Sequence, residues 1–255
     1  MERLKFKEYI SKRLKNKGLF AILLSYIAFC LFSVLAFCFV GRARGVFMAA
    51  SFILFVPLMF ALEHFFGLHF GNGFVFWAFF LAAGSILGSC YNLYSAIPFF
   101  DTILHGLSGT LFAMFGFMIA ERFFCGINNS KELFGCIIFG IFCSLSVAVL
   151  WEIFEYCGES FFGMDTQVDS ITNEIRSHFL AGSHNDIVVI EDIEKTVIHY
   201  ADGKTYVIDG YLDVGRDDTL IDMIICTVGA LVYTPFAAVN RLKSLSRSSK
   251  AVAKI

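Results

Sequence analysis

The chain has 255 residues, of which 57% are hydrophobic and only 16% charged, with 32 phenylalanines and a net charge of −2. A soluble domain carries roughly 25% charged residues, so this composition excludes an ordinary soluble enzyme and, lacking a basic tract inside the fold, a nucleic-acid-binding protein. The small net charge conceals segregation: Lys and Arg crowd both ends, while 158–217 holds twelve acidic residues against four basic ones.

In chain order, residues 1–18 form a basic segment. Leu4, Ile10 and Leu14 among its lysines suit either a short amphipathic helix on the inner leaflet or an unstructured basic arm. A transmembrane helix needs about 20 predominantly apolar residues. Six runs qualify: 19–40, 46–66, 74–90, 103–120, 134–157 and 219–239. None contains Lys or Arg, and Trp77 and Tyr91 stand where interfacial anchors belong in the short third run. The first run is too long for a signal-peptide core and reads as a retained helix. The expected fold class is an all-α integral membrane protein, a six-helix bundle with a small β-meander in the outer loop between helices five and six. Its expected parts are the basic segment 1–18, helices one to five in 19–157, the outer loop 158–217, helix six in 218–240 and a basic tail 241–255.

Orientation follows the Lys/Arg bias. Placing both ends in the cytoplasm leaves 14 of the 20 positive residues inside. Residues 158–217 then lie outside. Their second half alternates as strands do, at 186–190, 196–200 and 205–208, and Asp202-Gly203 is a hairpin turn signal. His178, His184 and His199 read as surface residues there, and Glu63, His64 and His69 as interfacial residues of the opposite side. The eight cysteines form no Cys-x-x-Cys and read as small packing residues; Cys90 and Cys157 fall at outer helix ends, where a disulfide is one alternative.

Three ionisable pairs carry the functional reading: Asp101 with His105, Glu152 with Glu155, and Asp218 with Asp222. Spacings of three or four put each pair on one helix face, and all three fall at the outer end of their helices. Capping accounts for Asp101 and Asp218, since Asp is a favoured N-cap. It does not account for His105 and Asp222, a full turn deeper, nor for Glu152 and Glu155, read as near a helix C-terminus where the macrodipole disfavours negative charge. Small residues line the same faces: Ala148 and Ser144, then Cys226 and Gly229 with Tyr233, and Gly109. They allow close approach of helices. Five carboxylates and one imidazole require shared protons or a cation. Carboxylate and His donors suit a divalent metal such as Mg, Mn, Fe or Zn, with His105, Glu152, Glu155, Asp218 and Asp222 as ligands and Asp101 as ligand or orienter of His105.

The same residues resemble the YjdF-like inner-membrane family: Phe100-Asp101-x3-His105-x3-Gly109, Trp151-Glu152-x2-Glu155, and Asp218-Thr219-x2-Asp222-Met223 with Gly229-Ala230. In that family a Gly-Thr-Gln-x-Asp segment shortly precedes the Asp-Thr-x-x-Asp motif. Asp165-Thr166-Gln167-Val168-Asp169 resembles the former, yet 48 residues separate Asp169 from Asp218, so the strands read as an insertion between two motif halves. More distantly, the order of motifs is similar to the VanZ-like membrane proteins. Both resemblances imply a multi-pass bacterial cell-membrane protein with a polar outer-face site, and neither supplies a substrate. Three functions fit the pattern: a metal-dependent hydrolase or transferase acting on a lipid or envelope precursor, a non-catalytic binding or regulatory protein meeting a protein partner through the outer strands, and a proton-coupled transporter.

Overall fold

The computed structural model describes residues 4–123, 127, 129–163 and 166–252, with backbone alone for Phe162 and for 244–252. In chain order the elements are α1 (Phe6–Arg13), α2 (Lys17–Val40), α3 (Ala43–Phe52), α4 (Phe55–Phe66), α5 (Asn72–Cys90), α6 (Leu93–Ala96), α7 (Phe100–Phe123), α8 (Ser130–Phe162), β1 (Ser170–Thr172), β2 (Ile175–Ser177), α9 (His178–Ala181), β3 (Val188–Ile190), β4 (Lys195–His199), β5 (Thr205–Asp209), β6 (Tyr211–Asp213) and α10 (Arg216–Val252). Six stretches among the described residues are long and apolar enough to cross a membrane: α2, α3 with α4, α5, α7, α8 and the first 28 residues of α10. All six expected runs are therefore helical, and each extends beyond its expected bounds. The second is broken at Ile53-Leu54. The break frees the Phe52 carbonyl, and the Tyr26 hydroxyl donates to it at 2.9 Å. A backbone acceptor left bare inside an apolar layer costs several kcal/mol.

Two compact units make up the chain, one of residues 1–148 with 225–255 and the other of residues 149–224. Helices α8 and α10 each contribute residues to both units.

In the first unit α2 packs on α3 and α5, and α5 packs on α7. Leu19, Leu23, Tyr26, Cys30, Phe60, Phe79 and Ile86 form its core. A second cluster gathers Phe117 and Ala120 of α7, Leu133 and Cys136 of α8, and Ala237 of α10. The Asn16 side chain caps α2, accepting from Leu19 N–H at 3.1 Å. Gly41 and Gly67 close α2 and α4 at positive φ of 73° and 65°, the left-handed end that glycine adopts without a Cβ clash.

The first unit also corrects two readings of the sequence. Residues 6–13 are helical, and of the three apolar residues named for that helix Leu4 and Leu14 are exposed, whereas Ile10, with Phe6 and Tyr9, packs against the protein core. Glu63 is not an interfacial residue. It is 1% exposed and accepts from Arg13 Nη2 at 2.7 Å and Nε at 2.9 Å. Tyr9 hydroxyl and Phe70 N–H complete its shell at 3.1 and 2.8 Å. His64 is half-buried against the Phe6 and Tyr9 rings, and His69 is exposed.

The second unit contains the strands. They are antiparallel, as expected, and β4 and β5 form the hairpin over Asp202-Gly203, with Lys195 opposite Asp209 and His199 opposite Thr205. Asp202 closes the turn by accepting from Lys204 N–H at 3.1 Å. Its carboxyl is held below the usual range by the Lys204 side chain. The pairing differs from a continuous meander. Strand β3 pairs with β2, not with β4, and β1 pairs with β6, leaving three two-stranded sheets. The reason lies upstream: Ser170–Thr172 and Ile175–Ser177 form strands that claim these partners. His178, His184 and His199 are exposed, as expected.

Candidate functional site

In the first unit the site rests on a close crossing of α7, α8 and α10. A Cβ on Gly109 would overlap the backbone carbonyl of Cys226, and one on Gly229 would overlap that of Gly106. A Cβ on Gly140 would likewise stand too close to the Ala113 carbonyl, at 2.6 Å. With backbones this near, short polar side chains reach the neighbouring helix directly: Thr110 hydroxyl donates to Gly229 O at 2.8 Å, and Ser144 hydroxyl to Gly109 O at 3.0 Å. The small residues of the three faces thus act as the sequence suggests, by replacing side-chain bulk with backbone contact.

His105 stands at one end of this crossing. Its Nε2 is 3.6 Å from Asp101 Oδ1, one helical turn away. Its Nδ1 is 3.7 Å from the Cys226 thiol, which also donates to the His105 carbonyl at 3.3 Å. The two ring nitrogens therefore face different groups, a carboxylate and a thiol. Cys226 is buried and is the residue that sequence reasoning assigned to packing alone. Its only signal was its place four residues after Asp222, on the same face of α10. The seven described cysteines are free thiols, so Cys90 and Cys157 form no disulfide.

The second unit holds the other four sequence-predicted residues. Glu152 and Asp222 are buried, at 6% and 3% exposure. Glu152 follows Ser144 and Ala148 by two turns and one turn along α8, and Asp222 precedes Cys226 by one turn along α10. Helical spacing puts each carboxylate on the same face of its own helix as those small residues. Glu155, half-buried on the same helix, accepts from Trp151 Nε1 at 2.9 Å. Helix α8 ends at Phe162, not near 157. Glu152 and Glu155 accordingly lie well inside it, and the macrodipole penalty, confined to the last turn, falls instead on Glu159. That residue is offset by two backbone donors, Thr166 N–H at 3.2 Å and Gln167 N–H at 2.6 Å.

Those contacts belong to a strap that joins the two separated motif halves. Thr166 hydroxyl donates to Glu155 O at 2.9 Å, the Gln167 amide bonds the Thr219 hydroxyl, and Val168 N–H donates to Asp218 at 2.8 Å. Asp218 is thus a bridge to the strap. The capping role passes to Asp213, which accepts from Asp217 N–H at 2.8 Å. The β1–β6 pairing closes the base of the inserted segment and returns the chain to α10. Asp169 is exposed, and Asp165 lies outside the described residues. Replacing Gln167 by Ala should loosen this closure without unfolding the spans. The expected result is cleavage within 168–215 at least tenfold faster in limited proteolysis; equal rates would show that the strap carries no load.

Six helices long and apolar enough to span a membrane among the described residues define a multi-pass membrane protein, with the buried carboxylates Glu152 on α8 and Asp222 on α10. The chain belongs to the family described as Predicted membrane protein (DUF2238), whose model matches residues 21–243. This is the YjdF-like family that the motifs resemble; the more distant similarity to VanZ-like proteins is not supported. No curated protein and no solved structure matches the chain.

Proposed function

We propose that the protein is a divalent-cation-dependent membrane enzyme acting on a lipid or envelope precursor at the outer leaflet, with both termini in the cytoplasm. The reading is carried by one observation: Glu152 and Asp222 are buried carboxylates on the α8 and α10 faces that, one or two turns further on, pack around Gly109 and His105. An ionised carboxylate removed from water needs a compensating charge or a proton, and ionisable groups inside spans mark functional sites by default. Asp101 and His105 of the first unit and Asp222 of the second are the first candidate donors, two carboxylates and an imidazole. Glu152, Glu155 and Asp218 are the further candidate ligands. The donor chemistry fits a borderline or hard divalent ion.

In this reading a bound cation would supply water activation, and a carboxylate that does not bind it would serve as general base. Cys226, against Nδ1, orients the imbedded His105 ring so that Nε2 faces Asp101. Elemental analysis of the full-length protein purified without chelator tests the proposal. Near-stoichiometric metal is expected in the wild type, with at least tenfold less in Glu152→Gln and Asp222→Asn variants that keep the wild-type helical circular dichroism. Folded wild type without metal, after loading with Zn, Mn and Mg in turn, overturns it.

A second reading, a non-catalytic protein that meets a partner through the outer strands, draws on the hairpin alone. Val197, Ile198, Tyr206 and Val207 are all exposed on it.

A further inference from the structure

The lysines of the N-terminal segment are exposed, whereas most of the apolar residues of α1 are packed on protein. On α1 the inward face is Phe6, Tyr9, Ile10 and Arg13, all packed on the first unit. Arg13 is buried, and three hydrogen bonds to two partners hold it. Its guanidinium grips Glu63 through two nitrogens and donates to the Phe70 carbonyl at 2.8 Å. Tyr9 reaches the same carboxylate, and Phe6 stacks on Phe65 with ring centroids 5.9 Å apart. Burial, with the negative charge of Glu63 behind it, pushes the Tyr9 phenol up to about 12, so the phenol keeps its proton and its donor role at any physiological pH.

The outward face is Lys5, Lys7, Lys12 and Lys15, with Lys17 beginning α2. All five are exposed, and Glu8 is the one acidic residue among them. Only Leu14 to Asn16 separate α1 from α2. Because α2 is a membrane-length helix starting at Lys17, these ammonium groups stand at the level where phospholipid headgroups lie. A free amphipathic helix would turn its apolar face into the acyl boundary. Here that face is already occupied by protein, and the Arg13–Glu63 pair prevents it from rotating.

We infer that α1 is a fixed cationic platform that binds the headgroups of anionic phospholipids through Lys5, Lys7, Lys12 and Lys15, by charge and not by insertion of apolar side chains. Each Lys near an anionic surface strengthens attraction about fivefold, and the effect decays within a Debye length. Three properties follow. Binding discriminates phosphatidylglycerol from phosphatidylcholine, it weakens with salt, and it ignores Leu4 and Leu14, the two exposed leucines of the segment.

The test uses the full-length protein in detergent, titrated with phosphatidylglycerol or with phosphatidylcholine of the same chains, and counts retained lipids by native mass spectrometry. Wild type should retain phosphatidylglycerol in preference to phosphatidylcholine. The triple variant Lys5→Gln, Lys12→Gln, Lys15→Gln should bind it tenfold or more weakly, and the double variant Leu4→Ser, Leu14→Ser should match wild type. All five positions are exposed, so the fold is not at stake. Three outcomes overturn the inference: equal retention of the two lipids, a triple variant that binds like wild type, or a loss confined to the leucine variant, which would mean apolar insertion. Metal content is a separate measurement, so this result stands or falls independently of the site among the carboxylates.

Discussion

Arg13→Ala is expected to destabilise the protein by about 3–5 kcal/mol, the cost of leaving one partner of a buried ion pair uncompensated. Glu63 is then a carboxylate 1% exposed with only Tyr9 and Phe70 N–H to satisfy it. Helix α1, which touches the rest of the unit chiefly through α4, loses the contact that orients it. The double variant Arg13→Met, Glu63→Met tells pairing from packing. Apolar residues of similar volume in place of both charges should restore most of the loss, because desolvation of the ions disappears along with their attraction. Denaturant unfolding in detergent, followed by tryptophan fluorescence and by accessibility of a thiol introduced at Ser11, reads both effects. A single variant within 1 kcal/mol of wild type would mean that the pair is hydrated when the protein is in detergent.

Gly109→Val should be more damaging to the fold around His105 than substitution of any one of the candidate site's carboxylates. The valine Cβ would overlap the Cys226 backbone, and a backbone carbonyl has no rotamer in which to retreat. Overpacking costs typically 1–3 kcal/mol; with backbone on both sides, about 3 kcal/mol or more is expected, through separation of α7 from α10. The same displacement withdraws Cys226 from His105 and releases the Thr110 hydroxyl from Gly229 O. Metal retention and the melting temperature should therefore fall together. Gly135→Ala is the control. It lies in α8 with nothing within 4 Å of an added Cβ, and alanine gains up to about 1 kcal/mol of helix propensity over glycine. If Gly109→Val melts like wild type, the three helices do not cross as described.

Periodicity and length located much of this molecule. The six spans are visible because a hydrocarbon layer admits only segments that satisfy their own backbone, and that demand is written locally as a run of apolar residues. The Asp202-Gly203 hairpin is equally local, a turn chemistry of two residues. Small residues at helical spacing marked the faces of α7, α8 and α10 that meet. The faces were readable because spacing alone puts Gly109, Ser144 and Cys226 in line with His105, Glu152 and Asp222.

Partners were not readable. Glu63 and Arg13 are 50 residues apart, and nothing in either neighbourhood names the other. Glu63 was placed at an interface because a lone carboxylate at a helix end is cheapest there. Burial became favourable only once the fold delivered a guanidinium. The contacts of Gln167 with Thr219 and of β1 with β6 are of the same kind, closing a long insertion through pairings of separated segments. Cys226 looked like a packing residue because its thiol is small and apolar until His105 is beside it. The sequence by itself determined that this chain has six segments long and apolar enough to cross a membrane and which faces of α7, α8 and α10 carry the small residues, since both follow from local hydrophobicity and helical repeat. Only the tertiary structure decided which buried charges are paired, how the inserted strands close, and what stands against the His105 ring, because those depend on distances between residues far apart in the chain.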